Sequence, residues 1–335
     1  MAELADALGT IPLAPVRARL GPDRAWLTVL AAVTALELAW WLVTWSLGYA
    51  PAPFLLSYLA AAFGALAGAG LLRKLLRPRA PGPDWASVLP ATALVGAGSS
   101  LFLPLKYAIP RWIPFWLDPP LARAERALFG ADPWLMLDRV SGWAAVPLDL
   151  LYGLWLPTQA LVLFTLILQP ASPAKSRALI AYVLAWFVLG VVAATLFASA
   201  GPIFYDRLFG GETFAALPET LRQRGAWIAL AESDRMWGSL ASAHPSLVAG
   251  ISAVPSIHVA VSVWIFLVAR TMAPRAAPLA LAYAAFIWLG SVQLGWHYAS
   301  DGLAGALGLL ALWALSAKLE DRLAARPTEP PPTCW

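Results

Sequence analysis

Cysteine occurs once in the 335 residues and histidine three times. The lone Cys334 excludes an internal disulfide framework and any cysteine-built metal centre. Charge is scarce as well: Asp, Glu, Lys and Arg make up 13%, against about 25% in a soluble domain. That shortage excludes an ordinary soluble fold. The net charge is +4, and the basic residues are scattered among loops, so no nucleic-acid footprint is present. Strand-like alternation is missing and the apolar runs are too long for barrel strands. Met1–Arg24 lacks a short apolar core followed by a small-residue cleavage site, and reads as a retained cytoplasmic segment.

What remains is hydrocarbon. Sixty per cent of the residues are hydrophobic, in runs near 25–47, 53–72, 85–105, 143–168, 178–199, 253–272, 277–296 and 300–317. A spanning helix needs about 20 such residues, so an all-α polytopic membrane protein with about eight transmembrane helices is expected. The 18 Trp residues tend to fall at the ends of runs, where the interface anchors them. With the N-terminus inside, 14 Lys and Arg fall on the cytoplasmic side, mostly in short loops, against 9 on the other. The positive-inside rule therefore favours both termini inside. The long segments 106–142 and 200–252 then lie outside, the first as short interfacial helices and the second as a cap. The Pro-rich end, 319–335, reads as a disordered cytoplasmic tail.

All three histidines, His244, His258 and His297, fall on that outer side. His297 and Asp301 are four apart, hence neighbours on one helical face. A carboxylate beside an imidazole fixes its tautomer and raises its basicity, which makes the free nitrogen a nucleophile. His258 follows Pro255 and Ser256, with Pro255 expected in the first helical turn and Ser256 or Ser252 capping. Two helix starts would then converge as an anion site, with phosphate the fitting anion. A second histidine can protonate a leaving oxygen, so phosphoryl transfer through a phosphohistidine is the reaction this set suggests. Two His and one Asp match zinc or manganese by count, but the spacing carries no metal signature, and no cofactor is implied. His244 joins no constellation. The rival of another class is a lipid transporter or flippase. It is disfavoured because no inverted repeat is visible and the polar residues gather at one face instead of the midplane.

Pro255-Ser-Ile-His258 resembles the second motif of the type 2 phosphatidic acid phosphatase superfamily, and Gly295-Trp-His-Tyr-Ala-Ser-Asp-Gly-Leu-Ala-Gly305 resembles its third. The longer string Gly250–Ala260, with Ala200–Leu208, Leu148–Trp155 and Lys106 followed by Pro114-Phe-Trp-Leu-Asp118, is most similar to the inositol phosphorylceramide synthase-like branch. The resemblance covers roughly residues 100–317. It implies a six-helix catalytic membrane domain over 85–318, preceded by two accessory helices and a basic loop over 25–84. It also implies His297 as nucleophile, Asp301 orienting it, His258 as general acid, and no metal. The substrate would be a phospholipid or lipid phosphate, with a lipid or polyol alcohol as acceptor. The alternative is simple hydrolysis as a lipid phosphate phosphatase. The cell membrane, with the site on its periplasmic or lumenal side, is the expected location.

The sequence departs from the phosphatase pattern. The Ser-Arg opening of the third motif is Gly290-Ser291 here, and the first motif retains Lys106 but has Ile113 where an Arg is expected. Both losses are shared by the synthase-like branch, which favours transfer. Phosphate charge then falls to Lys106, Arg111 or Arg207, with Ser256 and Tyr205 as further binding candidates. Asp149, inside an apolar run, is a candidate for binding a polar headgroup or bracing Lys106 or Arg207, and equally for a structural bond to Tyr152 or another helix. Glu37, the other intramembrane carboxylate, lies outside the matched region and has no role in this scheme.

Overall fold

A computed structural model describes residues 23–241 and 250–324. The segment before Asp23, His244 and the tail from 325 fall outside those residues. Every regular element among the described residues is helical.

Each apolar run becomes a helix, and six are long and apolar enough to cross a membrane. They are α1 (Arg24–Ser46), α2 (Leu55–Leu76), α3 (Trp85–Trp112), α8 (starting Pro173–Leu184 and continuing to Leu196), α13 (Ala277–Gln293) and α14 (Ala299–Ala324). Two of the eight expected spans are altered. The fourth is broken into α6 (Ala145–Gly153) and α7 (Trp155–Ile167), and the helical run Pro133–Gly153 meets α7 at 43°. Pro157 has no N–H for the Gly153 carbonyl four residues back, which is the usual origin of such a kink. The sixth, α12 (Ile257–Met272), has only 16 residues. Pro255 precedes it instead of occupying its first turn, because Ser256 is the N-cap, its hydroxyl accepting from the Val259 N–H at 3.4 Å. Two boundaries also move. α3 runs on to Trp112, so Lys106 is helical and buried, not the start of a loop. α14 runs on to Ala324, so residues 319–324 are helix where a disordered tail was expected.

The described parts of the outer segments form helices. α4 (Asp118–Phe129) and α5 (Pro133–Ser141) come from the first, and α9 (Pro202–Phe209), α10 (Ala216–Arg224) and α11 (Trp227–Ala241) from the second. Arg224 clamps the two together with paired bonds to Asp138 at 3.0 and 2.9 Å. Arg126 does the same through Asp132 and the Thr213 carbonyl. The cap has its own apolar core, in which Ile109, Phe204, Leu217 and Leu294 are almost fully buried.

At the opposite end of the bundle, Lys175 is fully buried. Its ammonium donates to Asp23 at 2.9 Å and to the Gln169 carbonyl at 3.0 Å. Asp23 also accepts from Trp26 and Ser87. One buried network thus joins the starts of α1, α3 and α8, as a buried charge requires.

Candidate active site

The starts of α12 and α14 meet at the cap. The Ser256 N–H donates to the Asp301 carbonyl at 3.0 Å. Glycine makes this approach possible: a Cβ at Gly305 would run into the Ser256 carbonyl. Asp301, in the first turn of α14, reaches back to accept from the Tyr298 N–H at 2.9 Å, and the same oxygen lies 3.3 Å from His297 Nδ1. Both side chains are buried. Nδ1 is therefore committed to the carboxylate, which leaves Nε2 for chemistry.

The His258 ring centroid lies 5.8 Å from that of His297. His258 stacks on Tyr152 at 4.7 Å and leans on Trp155 at 4.2 Å. Trp155 also donates its indole N–H to the His258 carbonyl. The imidazole is thus wedged, and its Nδ1 is buried without a hydrogen-bond partner. Both histidines line a cavity of about 550 Å³ that also takes in Lys106, within the usual range for ligand sites of about 300–1,000 Å³. The Lys106 ammonium sits 5.8 Å from the Phe102 ring centroid, and no carboxylate pairs with it among the described residues.

The other sequence candidates fall elsewhere. Arg111 turns back on its own helix, over the Tyr107 ring at 3.9 Å and onto the Tyr107 carbonyl. Arg207 pairs with Asp234 at 2.5 Å, and Tyr205 packs on Phe209 and Phe214; none of the three lines the cavity. Ser256 caps a helix, as above. Asp149 lines the cavity, but its two oxygens accept from the Ile228 and Ala229 N–H groups at 2.8 and 2.9 Å. It thus caps α11, a structural bond to another helix as one of the two readings has it, and bonds none of Lys106, Arg207 or Tyr152.

The converging helix starts are also less open than expected. The Ser300 N–H and hydroxyl both go to Glu125 on α4, at 2.7 and 2.8 Å. With Asp301 on Tyr298 and Ser256 on Val259, side chains occupy amides that an anion would otherwise use.

Two carboxylates that the sequence did not single out organise this end. Glu125 is one. The other is Asp118, fully buried, which accepts from the Ala200 and Gly201 N–H groups, the Ser199 hydroxyl and the Tyr298 hydroxyl. Burial pushes its carboxyl above the usual range, and the four donors offset part of that. Burial and the nearby Asp118 and Asp301 carboxylates push the Tyr298 phenol upward, so it remains a proton donor. The turn held by Asp118 passes at Gly201 (φ +95°) against the Trp296 carbonyl, where a Cβ would collide. Residues 199–201 are thereby fixed beside the His297 turn. Asp118 stands at the end of a string matched for other reasons, while Glu125 has no signal beyond being a charge on a short amphipathic helix.

No group of three or more His, Cys, Asp or Glu side chains with metal-binding geometry occurs among the described residues. A family model described as the PAP2 superfamily matches residues 119–315, more than half of the chain. No curated protein and no solved structure matches it.

Proposed function

Because the chain belongs to the PAP2 superfamily, a family of phosphatase- and phosphotransferase-type lipid chemistry, we propose that it is a lipid phosphotransferase acting through a phosphohistidine at His297. The observation that carries this reading is the His297–Asp301 contact with His258 beside it, opening on a cavity that contains Lys106.

In the first half-reaction His297 Nε2 attacks phosphorus and an N–P bond forms. The P–O bond to the leaving group breaks, and His258 supplies the proton that the departing oxygen needs. The Asp301 carboxylate stabilises the positive charge that the imidazole acquires. In the second half an acceptor alcohol returns its proton to His258 and attacks phosphorus, and the N–P bond breaks. Since side chains fill the helix starts, the buried Lys106 ammonium is the group placed to meet phosphate charge. The site opens on the side opposite the N-terminus, periplasmic or lumenal, a placement supported by the 14-to-9 distribution of basic residues. Lys175 counts for little in that tally, being buried against Asp23. The two-part division at residue 85 belongs to the same proposal.

Ser291 in the place of the phosphatase Arg supports transfer over hydrolysis. The test is incubation of purified protein with labelled phosphatidylinositol, phosphatidylglycerol and lipid phosphates, with and without diacylglycerol or ceramide. A new phospholipid is expected, together with an acid-labile label on His297. Release of free phosphate alone would make the protein a phosphatase. Full turnover by His297→Ala on every substrate of the wild type would overturn the mechanism.

A further inference from the structure

The cavity does not end at the histidines. It runs down α3 past Lys106 to Gly98, two turns deeper, and there meets Glu37 and Thr34 of α1. The descent is about 12 Å at 1.5 Å per residue. An atom at the Gly98 Cβ position would lie 3.2 Å from Glu37 Oε2 and 3.3 Å from Thr34 Oγ1. Glu37 is 4% exposed, and it makes no hydrogen bond or ion pair among the described residues. Thr34, one turn earlier on the same face, has a buried hydroxyl without a partner. Between this pair and the histidines the lining is mainly apolar, with Phe102, Leu103 and Trp186 among it.

An unpartnered carboxyl at mid-membrane depth is costly unless something bonds to it, and such groups mark ligand or ion paths by default. Both unpartnered groups can accept a hydrogen bond and the Thr34 hydroxyl can also donate one, so a ligand hydroxyl, which does both, or an amide N–H satisfies them. α1 lies outside the segment matched by the family.

We infer that Glu37 and Thr34 form a chain-reading site: the substrate lipid carries a hydroxyl or amide N–H part way down its chain, about 12 Å deeper than the phosphate. The apolar stretch holds the intervening methylenes, and Glu37 with Thr34 takes the buried donor. This rests on the reading of His297, His258 and Lys106 as the phosphate end.

The test measures binding without turnover, in the His297→Ala protein, with two monoacylglycerol phosphates of equal chain length. One carries a mid-chain hydroxyl and the other does not. The hydroxylated probe is expected to bind at least ~3-fold more tightly, in line with the net worth of a buried hydrogen bond. Glu37→Leu should bring the two to parity and leave affinity for the plain probe unchanged. Glu37→Gln, which keeps an acceptor, should retain part of the preference. Equal affinities in the parent, or an undiminished preference in Glu37→Leu, would overturn the inference. Should Glu37→Leu not fold, Thr34→Val must still reduce the ratio; an unchanged ratio there also overturns it. Failure of the phosphohistidine reading would appear separately, as turnover that survives loss of His297 while the affinity ratio stands.

Discussion

Asp301 does two things with one oxygen: it holds the Tyr298 N–H at the start of α14 and contacts His297. Asp301→Asn keeps an amide oxygen for the first task and loses the charge that stabilises the imidazolium. Turnover should fall about 10²–10⁴-fold with KM and thermal midpoint nearly unchanged, as steady-state assays and a melting curve would check. Lys106 offers a different signature. Lys106→Met removes the cation placed for phosphate, so KM for lipid phosphates should rise at least ~10-fold, and the salt dependence of KM should flatten. Unaltered kinetics across a salt series would remove Lys106 from the binding scheme. At this scale the sequence was informative where chemistry imposes spacing. The His297–Asp301 pair follows from helical periodicity, and His258 from its Pro-Ser neighbours. Arg111, Arg207 and Tyr205 were plausible by charge or by motif, but Arg111 and Tyr205 turn onto near neighbours, Tyr107 and Phe209, and Arg207 onto Asp234 of another helix, which residue type alone does not reveal. Glu125 and Asp118 were hidden because their partners lie more than 80 residues away.

Helix starts and close approaches decide matters at the scale of elements. Asp149 caps α11 through two backbone amides. Its replacement by Ala should cost about 1–2 kcal/mol, lowering the thermal midpoint by a few degrees while each folded molecule keeps its turnover. A large loss of turnover at unchanged stability would restore Asp149 to substrate binding. Gly305 allows α14 to lie against the Ser256 backbone. Gly305→Ala should therefore separate the two helix starts and lower both stability and turnover, whereas alanine in an exposed helix interior normally stabilises by about 1 kcal/mol. The spans themselves were legible, because about 20 apolar residues admit few alternatives. Their irregularities were less so. The break after Gly153 has a sequence cause in Pro157, but apolar composition masks it. The nine-residue π-helical stretch Ala185–Ala193 within α8 has no comparable signal.

For the whole molecule, the buried Lys175–Asp23 pair ties the first helix to the bundle at the end away from the site. Removing one partner of such a pair costs about 3–5 kcal/mol, and removing both costs much less. Lys175→Met should thus lower the detergent melting midpoint sharply, and the Asp23→Asn, Lys175→Met double variant should recover most of it. Sequence reasoning treated Lys175 as one more loop charge, since nothing local indicates that a lysine near a helix start is enclosed by segments over 80 residues away. The architecture as a whole was legible, and the depth of the cavity was not, because its walls come from helices distant in sequence.

That cavity has two sets of walls. His258 stands on α12 and His297 on the turn between α13 and α14, and Glu37 and Thr34 stand on α1. On the readings proposed above, changes in the first helix alter which molecule is accepted while the reacting groups stay untouched. Heredity can revise preference and reactivity on separate stretches of the gene, and descendants of one ancestor can diverge in diet while sharing a single chemistry.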